Sequence, residues 1–590
     1  MNCRRANAYA SYTLAFLLRS TAMSKHRLSP VPLPPAKRLH HTRISSQEHR
    51  LITTFDNALY DELILFIFSF LNCRDLCAMH RTNRNCSRLA SDNQLWKTLF
   101  IREFGKTRLR GGKGFYGLTD GRLVKPLPLR ASTSMSSADD TLDWKWMHRI
   151  SSNWRNGRCS VEHFTNAEGT TLAPPPAFPR QHVILAGGFT ISSSNPCGSS
   201  LLVRDNSGIS RTLLCRSTLA TSVAEISAIA LDQSPPSLSS SHIIRLAAFL
   251  TTGEFNIFEH DHSSLSSATT PKQTYVPSSL HRASPVTHAA YNHPLLVTLS
   301  HSFTLMIYDL SNDSITHTQT LTSFTSHPPT SLVLSTIPST ASYKLVMAYA
   351  IPVYPAHWSV GATELIISPL GILPRKRTFA TSSSESSPQG AFEVSVTRST
   401  RAFDIPQGWI DEHKLQLMRD QWGRKVKQVA DIQTDGKWVV LAPGDVTDIS
   451  PVSHGSSEGT VPQQGHLQPL PYISPPSHTS SHLQLYRLHV PPISSSSVHT
   501  PKLMFVRTLH GPVGSVSTLS LADGRCVSLS ANGAIWVWDL EGGDGIEIAG
   551  PAKGSFAGTN SGSTCGTVAF DERRIVSASV RGIEERRFDI

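Results

Sequence analysis

From about residue 180 onward the chain repeats one pattern: a short apolar strand, a turn of Ser, Gly, Pro, Asn or Asp, and another strand. The clearest unit spans Leu509–Leu540. It holds strands Val516–Leu521, Cys526–Ser530 and Ala534–Leu540, with turns at Ala522-Asp523-Gly524 and Asn532-Gly533. Units with the same logic are placed at Ala224–Glu259, Val286–Leu310 and Gly566–Ile590, and weaker ones at His182–Asp205, Ser331–Ile367 and Val426–Arg487. A repeat of this size cannot cover its own apolar faces, so it must stack on its neighbours. A single small fold is excluded.

The end of the clearest unit, Ile535-Trp536-Val537-Trp538-Asp539-Leu540, resembles the Trp-Asp ending of a WD repeat, with Trp538 and Asp539 as the blade-end pair. The resemblance implies an all-β propeller of about seven four-stranded blades. The last unit stops after three strands, which leaves an open sheet edge. Its fourth strand is expected from before the first blade, and Cys159–Thr165 is the candidate. The propeller is thus assigned to 156–590, with insertions at about 374–421, including a short helix over Gly408–Gln421, and 447–481. Glu259-His260-Asp261-His262 carries metal-ligand residue types but is read as a solvated loop after a strand.

A different pattern precedes the array. Leu59–Leu71 has the length of a helix and an acidic first turn, with Leu63, Ile64, Ile67, Phe68 and Leu71 in one stripe. Leu65, Phe66 and Phe70 lie off that stripe, so the helix is apolar on nearly every side. Short helices follow at Asp75–His80, Arg84–Ala90 and Gln94–Phe104. A module of about 50 residues has too little core to cover so many apolar side chains. Part of that surface is expected to belong to a partner.

The order Leu59, Asp61-Glu62-Leu63, Ile67-Phe68-Ser69-Phe70-Leu71, Asp75-Leu76, Arg88-Leu89-Ala90-Ser91-Asp92 and Leu95-Trp96 resembles the F-box, assigned to 55–105. Tyr60 stands where the family usually has proline, and Cys86 where it often has tryptophan. The resemblance implies docking to a Skp-type adaptor through Leu59, Leu63, Ile64, Ile67, Phe68 and Leu71, with Trp96 supporting the later helices. Through the adaptor it implies a cullin and its RING protein. A linker at 106–155 with a helix over 138–154 leads into the array, and Asn153-Trp154-Arg155-Asn156-Gly157 resembles the entry segment of F-box/WD-repeat proteins. The fold class is thus α+β multidomain, a small all-α module followed by an all-β propeller.

The function implied is substrate recognition for a cullin-RING ubiquitin ligase, with ligation by proximity and no covalent chemistry in this chain. The alternative is a non-catalytic WD-repeat scaffold in another protein or ribonucleoprotein assembly. No P-loop, HExxH or dinucleotide fingerprint is present, and no cofactor or metal is expected. Cys73, Cys77 and His80 share a helical stripe, but no second pair of ligands accompanies them. Many relatives bind phosphorylated protein substrates with arginines on one propeller face. The loops after each second strand and before each first strand place His301, Arg581 and Arg282 there.

Charge limits the partners less than the motifs do. The formal net charge is +12, with 17% charged residues, which is compatible with an acidic partner and is not a polybasic nucleic-acid tail. Nine scattered cysteines do not form a disulfide framework, so a reducing compartment, cytoplasm or nucleus, is expected. No apolar run reaches the ~18–20 residues that span a bilayer. Residues 1–54 read as a basic, proline-rich disordered segment. Its first 22 residues have the composition of a targeting peptide, or of a leader upstream of a start at Met23.

Overall fold

The structure is a computed structural model that describes residues 55–108, 143–164 and most of 181–590; 370–391, 445–481, 552–565 and several shorter turns lie outside the described residues. The chain divides into two compact units, Met1–Tyr60 and Asp61–Ile590. The described part of the first holds helix α1 (Phe55–Ala58).

The second unit opens with four helices: α2 (Asp61–Phe68), α3 (Cys73–Met79), α4 (Arg84–Ala90) and α5 (Asn93–Arg108). Their starts are set by side-chain caps. Asn72 accepts from the Asp75 amide at 3.0 Å, Asn83 from Cys86 at 2.8 Å, and Asp92 from Gln94 at 2.9 Å and Leu95 at 3.0 Å. Helix α6 (Trp144–Asn156) follows, capped by Asp143 and closed by Gly157 in the left-handed conformation. Only glycine takes that φ without strain.

Seven four-stranded antiparallel sheets follow. Strand β1 (Ser160–Phe164) comes first. Blade one is β2 (Val183–Ala186), β3 (Phe189–Ser193), β4 (Ser200–Arg204) and β5 (Ser210–Leu214). Blade two is β6 (Ile226–Leu231), β7 (Ile243–Leu250), β8 (Phe255–Asp261) and β9 (Gln273–Tyr275). Blade three is β10 (Val286–Asn292), β11 (Leu295–Ser300), β12 (Thr304–Asp309) and β13 (Thr316–Thr322). Blade four is β14 (His327–Thr336), β15 (Tyr343–Val353), β16 (His357–Pro369) and β17 (Phe392–Arg401). Helix α7 (Glu412–Gly423) leads to blade five: β18 (Val429–Thr434), β19 (Trp438–Pro443), β20 (Leu483–His489) and β21 (Lys502–Leu509). Blade six is β22 (Val516–Ala522), β23 (Arg525–Ser530), β24 (Ile535–Asp539) and β25 (Gly545–Ala549). Blade seven takes β26 (Thr567–Phe570), β27 (Arg574–Ser579) and β28 (Gly582–Arg587), completed by β1.

First strands pack on first strands around a ring that closes where β26 meets β2. Second strands β11, β19 and β23 are buried along their whole length because sheets cover both of their faces. The ring is latched by β1, which pairs with β28 from Ser160 opposite Arg587 to Phe164 opposite Ile583. Arg574 adds a polar clasp. It ion-pairs with Glu585 at 3.2 Å and donates from blade seven to the Gly187 and Phe189 carbonyls of blade one, each at 3.0 Å.

Each predicted unit is a blade, but the insertion assigned to 374–421 needs correction, because Phe392–Arg401 is β17, the fourth strand of blade four. Residues 1–54 and 447–481 lie outside the described residues. The Glu259–Asp261 run also needs correction: it lies within β8, with His260 buried and Glu259 paired to Arg245 and Lys272, each at 2.9 Å.

Candidate functional site

Helix α2 has two apolar sides. Ile64 and Phe68, four residues apart, are buried and face the module's own core. Leu63 and Ile67 form the next row and stay substantially exposed, as do Phe66 (63%) and Phe70 (71%), whose rings meet edge to face at 5.0 Å. The helix is held from behind. Arg88 pairs with Asp61 at 2.6 Å, and Arg102 of α5 donates to the carbonyls of Ser69 at 3.4 Å and Leu71 at 3.2 Å.

This divides the expected adaptor contacts. Leu63 and Ile67 are on the surface, and Leu71 is half-buried. Leu59, half-buried, belongs to the first unit. Ile64 and Phe68 are corrected: they are buried in the module's core and not available to a partner, while Trp96, read as a support of the later helices, is buried with its indole donating to the Ala90 carbonyl at 2.7 Å. Phe66 and Phe70 supply exposed area instead. Moving an apolar side chain fully out of water contributes about 1.5–3 kcal/mol, so these four half-covered groups offer roughly 3–6 kcal/mol in all. That is less than a typical association cost, so a partner must bring further contacts.

Behind this patch, α5 and α6 share an aromatic core. The His148 ring meets Trp96 at 5.4 Å and Phe104 at 5.2 Å, and its Nε2 lies 2.9 Å from Glu103 Oε2. Burial, then neighbouring Cys77, pushes the Cys73 thiol up to about 11, which keeps it protonated. His80 turns to Ser91 at 2.9 Å and Ser87 at 3.4 Å.

Helix α6 carries the module to the propeller. The Trp154 ring stacks on Phe588 at 3.9 Å and 16°, its N–H donates to the Glu572 carbonyl at 2.8 Å, and the Arg525 guanidinium covers it at 4.6 Å. Asn153 donates to the Phe588 carbonyl at 2.8 Å. Ile150 and Trp154 thereby join one apolar cluster with blades six and seven.

Strand direction fixes what lies opposite. Each antiparallel blade has one end formed by its second-to-third turn and by the passage to the next blade. Helix α6 packs on Glu572 and Phe588, which follow a first and a third strand and so lie at the other end. His301, in the β11–β12 turn, is exposed at the end away from α6. Beside it Phe303 takes a left-handed φ of 58° while its ring plugs the core against Tyr349 at 5.5 Å. Arg282 and Arg581 lie outside the described residues. Trp538 is fully buried, and Asp539 accepts from the Glu541 amide at 3.0 Å, so this pair shapes the blade and is not a contact surface.

Residues 61–102 match the family model described as F-box-like. An F-box protein of Saccharomyces cerevisiae is 30% identical over 125 residues, 20% of this chain; the chain spans 19% of that relative's length. Among solved structures, the β-propeller domain of Cps50 (Swd1) from Myceliophteria thermophila aligns with a TM-score of 0.35 and 11% identity, covering 69% of this chain and 98% of that one. The computationally designed Ika8 protein aligns with a TM-score of 0.31 and 11% identity, over 69% and 94%.

Proposed function

We propose that this F-box/β-propeller protein is the substrate-recognition subunit of an SCF-type ubiquitin ligase, in which α2 docks a Skp-type adaptor and the propeller holds a protein substrate. The observation that carries this reading is the second apolar side of α2 and the turn after it, with Leu63, Phe66, Ile67 and Phe70 exposed although Ile64 and Phe68 already fill the core. An apolar patch of this kind on a small module marks a protein interface. The cullin and its RING protein would join through the adaptor.

The chain then acts by positioning. A substrate held at the end of the ring away from α6 is kept at a fixed offset from the adaptor by the Trp154–Phe588 stack. A fixed offset raises the effective concentration of a substrate lysine near a ubiquitin-conjugating enzyme without any bond being made by this chain.

Co-purification tests this. The full chain should retain a Skp-type adaptor in stoichiometric amount, and replacing Phe66 and Ile67 together with alanine should abolish retention while leaving the thermal midpoint unchanged. Equal retention by this double variant would refute the docking role of α2.

A further inference from the structure

The connection from β17 to β18 carries apolar surface that the fold covers only in part, the Trp422 ring meeting Phe403 at 5.8 Å. None of the residues of α7 is buried. Leu417 and Trp422 on it are exposed, as is Trp409 (85%) just before it. Tyr354 (84%), in the β15–β16 turn, is at the same end of blade four, away from α6. A helix of this length gains little from propensity alone and normally relies on packing. Here Asp411 caps it at the Lys414 amide at 2.7 Å, Gln416 bonds Asp420 at 3.0 Å, and Lys414 Nζ holds the Trp409 carbonyl at 2.8 Å.

The charge around this surface is unbalanced. From Arg401 to Lys427 the sequence carries Arg401, Lys414, Arg419, Arg424, Lys425 and Lys427 against Asp404, Asp411, Glu412 and Asp420. Of these, Asp411, Glu412 and Asp420 are engaged within the segment, Glu412 by Arg419 at 3.6 Å and the others as above. Lys425 lies over the Trp422 ring at 3.7 Å, and neither it nor Lys427 pairs with a carboxylate among the described residues. Val426 between them bridges to Trp358, next to His357. Burial lowers the pKa of His357, and Lys425 and Lys427 lower it further, so both ammonium groups act at one place.

We propose that α7, the β15–β16 turn and the Lys425–Lys427 edge form a docking surface for a short acidic segment of a protein partner, whose apolar residues lie against Trp409 and Trp422. The inference deepens the receptor reading by naming the chemistry of what the propeller accepts. Unpaired cations set the sign of the ligand, and exposed indoles ask for apolar anchors that a bare anion lacks.

Fluorescence anisotropy on the full chain tests it, with a labelled glutamate-rich peptide carrying two leucines, its glutamine counterpart, and an oligouridylate of equal length. The acidic peptide should bind, the glutamine form about tenfold or more weaker, and K425E/K427E and W422A should each weaken the acidic peptide about tenfold at an unchanged thermal midpoint. Equal binding by the variants, tighter binding of the RNA, or full displacement by inorganic phosphate would overturn the proposal. The Phe66 and Ile67 double variant should bind the peptide normally. Peptide binding in a chain that captures no adaptor would sink the ligase reading and leave this surface standing.

Discussion

Trp154→Ala tests whether α6 is a rigid strut. The indole is almost fully buried, stacked on Phe588 at 3.9 Å, bonded to the Glu572 carbonyl at 2.8 Å and covered by Arg525 at 4.6 Å. Truncating a buried aromatic residue to alanine costs about 3–5 kcal/mol. Leaving the Glu572 carbonyl without its donor adds about 1 kcal/mol. The total, roughly 4–6 kcal/mol, is comparable with the whole stability of a modest domain, so α6 should detach locally before the ring unfolds. Trp154→Phe keeps a ring on Phe588 and loses the N–H, which should cost only about 1–2 kcal/mol. Hydrogen exchange read by mass spectrometry separates the two. In Trp154→Ala the α6 amides should exchange far faster while β11 and β19 stay protected, and in Trp154→Phe the change should be small. Equal α6 protection in wild type and Trp154→Ala would refute the strut.

Ile64→Ala should destabilise the helical module by about 2–5 kcal/mol, whereas Ile67→Ala should change its stability little; urea unfolding of the two variants checks the division of α2 into inner and outer rows. Arg574→Ala leaves buried Glu585 without its partner, at a cost of about 3–5 kcal/mol, and should raise amide exchange in β2 and β3 before that in β14. Burial alone would raise the Glu254 carboxyl, but the Ser217, Thr218 and Thr252 hydroxyls and the Thr218 amide outweigh it and hold it below the ordinary 4.5. A depressed folded pKa contributes stability that is present above the unfolded value and is lost as pH falls through the folded one. Denaturation midpoints between about pH 6 and pH 3 should therefore fall more steeply for wild type than for Glu254→Gln.

The ring was legible because its turn residues recur at blade spacing and its second strands, such as Leu295–Ser300, are rich in Leu and Val and buried throughout. The latch at Ser160–Phe164 followed from a strand count and an open edge. Strand β17 was misread because an outer strand wets one face: Phe392-Glu393-Val394-Ser395-Val396-Thr397 alternates with polar residues and ends in Arg398-Ser399-Thr400-Arg401, which resembles a polar insertion. The inner and outer rows of α2 could not be told apart by period, since a helix apolar on every side shows no preferred face. Which row is inner depends on α5, where Arg102 clamps the Ser69 and Leu71 carbonyls and Trp96 anchors to Ala90. The Arg102 clamp joins α5 to the turn after α2, about 30 residues away, beyond the reach of local pattern.

The latch also sets a timetable for synthesis. Strand β1 leaves the ribosome more than four hundred residues before β28, its sheet partner. Translation at about 5–20 residues per second makes it wait tens of seconds as a bare edge. Helices α2–α5 can mature during that interval, while blade seven cannot close until β28 has emerged. The helical module therefore folds before the ring can close, and a chaperone that shields β1 in the meantime would raise the yield of closed rings.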